Sequence, residues 1–416
     1  MPTNHSNAAR KQKWAGYRSL HRMRQHQAAH AAGADHAIPP PLDHPLVAAN
    51  DPEVVARPAE MERLIDELRH AGSFGYDSEF IGEHSYYPKL CLIQVATSKR
   101  VTLIDPLTGL DLEPFWRLVA DTAIKKIVHA GLQDLEPVFR HLNEPARNVF
   151  DTQLAAAFTG LAYPASLENL VGQLIGADLG GGPKFTQWDQ RPLSLIQLRY
   201  AANDVRYLPL LHQVLDEKLE AIGNALWAAE ECGALSDPAL YRFQSQRLRL
   251  RGVESLKPRQ RTVLDALATW RDKAARIHDL PPRTLLRDQV LFDLCRDPVK
   301  SCDGLKRVRG LPRPVRERWG KEMLAVIRAA LCGPVAVSDD GQKLSRQKHR
   351  VRIESLWSAI VKHCHEYRID PAVVANKHEV ARLVCAVIAG RPVPSLRLAR
   401  GWRGQLLGPV LDSWRA

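Results

Sequence analysis

The sequence predicts an α/β domain with a mixed central sheet, followed by an all-α half built from two copies of one small helical module. Three observations carry this. Segments of strand and helix periodicity alternate from about residue 55 to residue 220. Beyond about residue 240 strand signals vanish and long stretches of helical spacing take over. Within that second half the sequence matches itself at an offset of about 90 residues.

Taken in order, Glu60 to Ala71 sets Met61, Leu64, Ile65 and Leu68 at helical spacing. Ser73 to Phe80, Leu90 to Thr97, Arg100 to Asp105 and Lys126 to Ala130 read as strands, with helices after the third and fourth. This domain is expected over residues 55–220, with a helical linker over 221–250. The second half offers helices over Arg259 to Ile277, Arg283 to Cys295, Pro314 to Leu331, Arg350 to Tyr367 and Glu379 to Ile388. Pro281 and Cys295 stand 90 residues before Pro371 and Cys385, and Leu305 to Gly310 (LKRVRG) faces Leu396 to Gly401 (LRLARG). Two modules follow, over 251–333 and 350–416, joined by a polar linker over 334–349. Residues 1–50, with six basic side chains against two acidic ones and the run Pro39-Pro40-Pro41, cannot bury a core and are expected to be a disordered basic tail.

Charge separates the parts. The net charge of +12 combines +4 over residues 1–50, −11 over 51–240 and +19 over 241–416. An acidic half joined to a strongly basic one suggests a polyanion, by default nucleic acid, held by one part while the other performs cation-dependent chemistry. No apolar run approaches the ~18 residues a membrane span requires, and nothing resembles a secretory signal. Seven cysteines without a C-x-x-C pair argue against a disulfide framework or zinc ribbon and suit reduced thiols in a cytosol.

The acidic half holds three carboxylate motifs. Asp77-Ser78-Glu79 lies towards the end of a strand, where residues i and i+2 project from one face. His129-Ala130-Gly131-Leu132-Gln133-Asp134 runs from a strand through a glycine turn into a helix, so Asp134 either joins a site or complements the helix dipole. Tyr200 and Asp204 are four apart on a helix and share a face. Together the four acids can build one site for two hard divalent cations, Mg²⁺ or Mn²⁺, which prefer carboxylate oxygens and serve phosphoryl transfer. Tyr200, with an ordinary pKa near ~10, suits orientation of a water rather than proton abstraction.

This order, Asp-x-Glu, then His-Ala-Gly-x-x-Asp-Leu, then Tyr-x-x-x-Asp, resembles that of DEDD-type 3′–5′ exonucleases of the tyrosine subclass. The flanks Tyr86 to Gln94 (YYPKLCLIQ), Phe150 to Gln153 (FDTQ) and Trp188 to Leu193 (WDQRPL) are similar to bacterial ribonuclease D. The basic modules resemble its paired HRDC (helicase and ribonuclease D C-terminal) domains. The resemblance covers residues 55–416. It implies a ribonuclease H-like mixed sheet flanked by helices, and two all-α HRDC-type domains behind it. Asp77, Glu79, Asp134 and Asp204 are then the metal-site carboxylates, Asp134 partly through water, with Tyr200 beside the nucleophilic water.

Phe80 is either a stacking platform for the terminal base or a core residue. His129 is either a substrate contact or a packing residue, and Lys184 is counted among the substrate contacts. Asp151 of the FDTQ stretch fits a helix cap or scaffold role better than a fifth ligand. The loop Gly180 to Thr186 departs from the Lys-Ser-rich form of the family. The implied activity is removal of nucleoside 5′-monophosphates from RNA 3′ ends, with precursor tRNA as substrate, by a cytoplasmic monomer. A DNA-directed exonuclease on the same scaffold and a catalytically inactive binding scaffold are the alternatives.

Overall fold

The computed structural model describes residues 39–82, 84–180, 187–242, 253, 256–335, 349–390 and 396–415. Lys184, residues 181–186 of the glycine loop, the linker core 338–343 and the first 38 residues lie outside these. A six-stranded mixed sheet organises the acidic half. In chain order its strands are β1 (Glu53–Val55), β2 (Ser73–Ile81), β3 (Lys89–Ala96), β4 (Val101–Ile104), β5 (Lys125–Val128) and β6 (Val149–Asp151), arranged β1-β4-β3-β2-β5-β6. β2 runs antiparallel to β3 and parallel to β5, so it lies at the junction of the sheet's antiparallel and parallel parts.

Period-two alternation on β2 divides the core in two. Phe74 and Tyr76 point to one side, where α1 (Pro58–Ala71), α2 (Glu113–Ala120) and α3 (Glu136–Leu142) cover them with Leu64, Leu68, Phe115 and Val138. Met61, Leu64, Ile65 and Leu68 are all buried, as the helical spacing predicts. The other side is covered by α4 (Thr152–Ala156), α5 (Leu167–Leu174), α6 (Leu195–Arg206), α7 (Leu208–Ile222) and α8 (Ala225–Gly233).

The helical half has α9 (Pro258–Ile277), α10 (Pro282–Leu285), α11 (Asp288–Arg296), α12 (Cys302–Arg307) and α13 (Arg313–Cys332), then α14 (Arg350–Glu366), α15 (Pro371–Val374), α16 (Lys377–Ile388) and α17 (Gly401–Arg415). Each set begins with a long helix, passes through a one-turn helix opened by proline, and closes on another long helix, which is the repeat seen in the sequence. The single helix predicted over 283–295 is two, because Leu286 is extended (φ −153°, ψ 118°) and breaks the ladder between α10 and α11.

Part of the predicted tail is also ordered. Val47 and Ala48 are buried, and the Arg206 guanidinium reaches the carbonyls of Ala48 and Asn50. Those carbonyls satisfy a buried cation, which draws the segment onto the domain despite its polar composition. All seven cysteines are free. Among the described residues no helix is long and apolar enough to cross a membrane.

Candidate active site

β2 supplies the first two acids. Asp77 and Glu79 project from the face shared with Gly75, and at Gly75 a Cβ would lie 3.0 Å from both Leu208 Cβ and Val205 O. Glycine there lets the α6–α7 corner settle onto the sheet, so that Asp204, the residue before Val205, comes down over the strand. One carboxylate oxygen from each of Asp77, Glu79 and Asp204 lies within 4.8 Å of the others. A β-bulge between Glu79 and Phe80 then shifts the register, and pairing resumes at Phe80–Leu90 and Ile81–Lys89.

Asp134 approaches from β5. It sits in the turn before α3, not in the helix, because Pro137 sets the helix start at Glu136. Ser78 Oγ donates to Asp134 Oδ1 at 2.5 Å, and the Tyr76 hydroxyl donates to its carbonyl oxygen at 2.6 Å. The turn is tightly determined. A Cβ on Gly131 would lie 2.6 Å from Val128 Cβ, and Ala130 holds a left-handed φ of 53°. The buried Asp151 carboxylate stabilises this conformation by accepting from Ala130 N and Gly131 N, both at 3.0 Å. The same group caps α4 through Gln153 N and Leu154 N, and it is not one of the three clustered acids.

Tyr200 lies one turn before Asp204 on α6 and hydrogen-bonds to its carboxylate. The Trp188 ring stands 6.2 Å from the Tyr200 ring at 33° and walls that side. Trp188 is fixed by Arg191, whose guanidinium grips both Asp105 oxygens (2.6 and 2.7 Å) and the carbonyls of Cys91 and Trp188. The Trp-Asp-Gln-Arg-Pro stretch therefore ties the tyrosine's wall to the ends of β3 and β4.

Burial and mutual repulsion dominate the electrostatics. Burial, with the charges of Asp204 and Asp134, pushes Glu79 up to about 8. Asp204 rises to about 7 by burial, against the Tyr200 hydrogen bond that holds it down. Asp134 rises to about 6, burial outweighing the Ser78 hydrogen bond. Asp77 moves well above the usual carboxylate range, first by burial and then by the other three acids. The Asp204 charge raises Tyr200 further, leaving a neutral hydroxyl. Asp134 is not in the three-oxygen cluster, yet its charge reaches every member of it. Among the described residues no Lys or Arg pairs with any of the four. Such a donor set, all hard oxygens and no cation, fits divalent metal ions of the Mg²⁺ or Mn²⁺ kind.

Phe80 is half-buried and lines a cleft beside the acids. His129 contacts groups on two other segments. Its Nε2 donates to the Ala165 carbonyl (3.1 Å) and its Nδ1 lies 3.0 Å from Thr152 Oγ1, so both nitrogens are occupied inside the scaffold. Ser78 escaped sequence reasoning, although its place between two acids was the available signal. Gln94, opposite Asp77 in the ladder, is fully buried with neither amide atom hydrogen-bonded among the described residues.

A family described as 3′–5′ exonuclease matches residues 52–220, and the HRDC domain family matches residues 260–327. Ribonuclease D of Gluconacetobacter diazotrophicus is 34% identical over 375 residues, covering 86% of this chain and 91% of that one. Ribonuclease D of Zymomonas mobilis is 31% identical, covering 88% and 92%. The crystal structure of Escherichia coli RNase D superposes with a TM-score of 0.75 at 26% identity, over 88% of this chain and 98% of that one. A mixed sheet beside three clustered acids, an HRDC domain behind it and relatives matched nearly end to end lead to one conclusion: the chain belongs to the ribonuclease D family.

Proposed function

We propose that Asp77, Glu79, Asp134 and Asp204 form the metal-dependent active site with which this chain trims RNA 3′ ends, releasing nucleoside 5′-monophosphates, and that 3′-extended precursor tRNA is its substrate. As a ribonuclease D the chain is a 3′–5′ exoribonuclease, a hydrolase. The reading of its site rests above all on three carboxylates brought within 4.8 Å of one another, with no Lys or Arg among the described residues pairing with them. The E. coli relative is described as an exoribonuclease involved in structured RNA processing, which favours RNA over DNA and a folded RNA such as tRNA.

Each residue has a role in this reading. Asp77, Glu79 and Asp204 would hold the divalent ions through their carboxylate oxygens, and Asp134, steadied by Ser78, would complete the ligand set. Two divalent ions, when bound, make a water nucleophilic at neutral pH and stabilise charge on the departing 3′ oxygen. Tyr200, kept neutral by its surroundings, orients the attacking water by hydrogen bonding rather than taking its proton. Phe80 offers a face on which the terminal base stacks. The +19 half attracts phosphates and makes RNA affinity fall with salt. The protein works as a monomer.

Digestion of 3′-extended tRNA by the wild type, Asp204→Ala and Tyr200→Phe, with Mg²⁺ or with EDTA, tests this. The wild type should release mononucleotides only with metal. Asp204→Ala should lose ~10³-fold or more in kcat, and Tyr200→Phe about 10²-fold. Undiminished activity of Asp204→Ala, or trimming in EDTA, would remove the proposal. Faster digestion of a matched DNA would move the substrate to the alternative.

A further inference from the structure

The two helical modules are attached to the sheet domain in different ways. Module 2 shares one continuous core with it. Ile353, Leu356, Val384 and Trp402 are buried in the same cluster as Val171, Val205 and Leu211. Module 1 has a core of its own, centred on Leu267, Leu291, Met323 and Ile327. Among the described residues one side chain of the sheet domain packs against that core, Tyr86, from the loop between β2 and β3.

The polar ties between these bodies converge on the same residue. Tyr86 N donates to Asp279 Oδ1 at 3.1 Å, and its hydroxyl donates to Asp272 Oδ1 at 2.5 Å. Asp272, buried, is held for this by Arg276, whose Nη2 donates to Asp272 Oδ2 at 3.0 Å and whose guanidinium lies 5.4 Å from the Tyr86 ring centre. Arg276 Nη2 also reaches the Tyr86 hydroxyl, at 3.5 Å.

Beside this contact lies a cleft of about 480 Å³. One wall is sheet domain, with Phe80 next to Glu79, Gln133 next to Asp134, and Tyr87. The other wall is module 1, with Arg271, Arg283 and Asp288. Tyr87 is ordered by Tyr86 edge-on (4.7 Å between ring centres) and by the Arg140 guanidinium 4.7 Å from its ring centre. Arg283 pairs through Nε with Asp288 Oδ2 at 2.9 Å, and its side chain remains 80% exposed at the cleft. The cleft therefore presents aromatic faces on one side, suited to bases, and on the other an exposed guanidinium that one carboxylate orients and whose remaining N–H groups suit a phosphate; its lining includes the chain neighbours of Glu79 and Asp134.

We propose that Tyr86 is a positioning residue for substrate grip: it pins module 1 to the β2–β3 loop and so holds the Arg283 wall opposite Tyr87, where the nucleotides upstream of the Phe80-stacked terminal one lie. Grip at this wall affects long substrates and spares a ribodinucleotide, which reaches the acids and Phe80 but not Arg283. The inference rests on the acid cluster being the active site.

Tyr86→Phe tests it in the full-length protein. The ring stays packed against module 1 while the Asp272 hydrogen bond is lost. For a long single-stranded oligoribonucleotide KM should rise ~10-fold with kcat retained, and ribodinucleotide hydrolysis should be unchanged. Asp272→Asn should act alike, and the double variant should be no worse than either single one, since both break one contact. A melting temperature within a few degrees of wild type should accompany these values. A parallel loss on both substrates, an unchanged KM on the long one, or additive effects in the double variant would overturn the proposal. Failure of the acid-cluster reading is distinguishable, because wild-type protein would then release no mononucleotide from either RNA.

Discussion

Three carboxylates gathered around one point, with the charge of Asp134 reaching each of them, place a load on the protein itself. The carboxyls of Glu79, Asp204 and Asp134 sit at about 8, 7 and 6 in the folded chain, above their ordinary values of 4.5, 3.8 and 3.8. Because folding raises these pKa values, the folded state binds more protons than the unfolded one between the two sets of values, and stability falls as pH rises through that window. The metal-free protein should therefore lose stability as pH rises from the ordinary carboxylate range to about 8. Divalent metal removes the repulsion, so Mg²⁺ should raise the melting temperature more at pH 8 than at pH 5, and Asp204→Asn should flatten the metal-free profile. Thermal melts in EDTA and in Mg²⁺ across this range measure both effects; a metal-free midpoint independent of pH would refute the account. The acids themselves were legible in the sequence, because period two on a strand and i, i+4 on a helix fix which side chains share a face. What was not legible is how they are held. Ser78 reaching Asp134, and the unpaired Gln94 amide opposite Asp77, depend on pairing between segments distant in sequence.

At the scale of elements, the turn from β5 to α3 decides where Asp134 stands, and a group from β6 holds that turn. Asp151 accepts four backbone N–H groups, two from the Ala130–Gly131 turn and two from the first turn of α4. Its cap role was readable from Phe-Asp-Thr-Gln. Its second pair of bonds was not, since they come from about twenty residues upstream. β1 and β6 escaped for a different reason: at three residues each they are too short to show a period, and pairing with longer neighbours makes them strands. Asp151→Ala leaves buried donors without a partner, so it should cost about 2–4 kcal/mol in urea denaturation, with kcat falling as the turn relaxes and Asp134 shifts. An unchanged stability would show that solvent or another acceptor replaces the carboxylate, and that the turn does not depend on it.

On the scale of the whole molecule, the internal repeat is a repeat of structure but not of role. Module 2 is built into the catalytic half. Arg403 forms a bidentate pair with Glu231 of α8 (2.7 and 2.6 Å) and donates to the Val373 and Val374 carbonyls, while Trp402 Nε1 donates to Glu231 Oε2 at 2.8 Å. The Trp402 ring meets Phe158 edge-on at 4.8 Å, inside the shared core. A basic, helical composition suggested two equivalent arms for nucleic acid, and composition carries no information about which arm buries its face against the sheet. Removing one partner of a buried pair leaves a charge without solvation, so Arg403→Ala should destabilise by about 3–5 kcal/mol. Because the core is continuous, that loss should spread: hydrogen exchange should speed up in β5, β6 and α4–α8 as well as in α14–α17, while α9–α13 keep their protection. Acceleration confined to residues 350–415, with the sheet still protected, would mean instead that module 2 unfolds separately from the catalytic half.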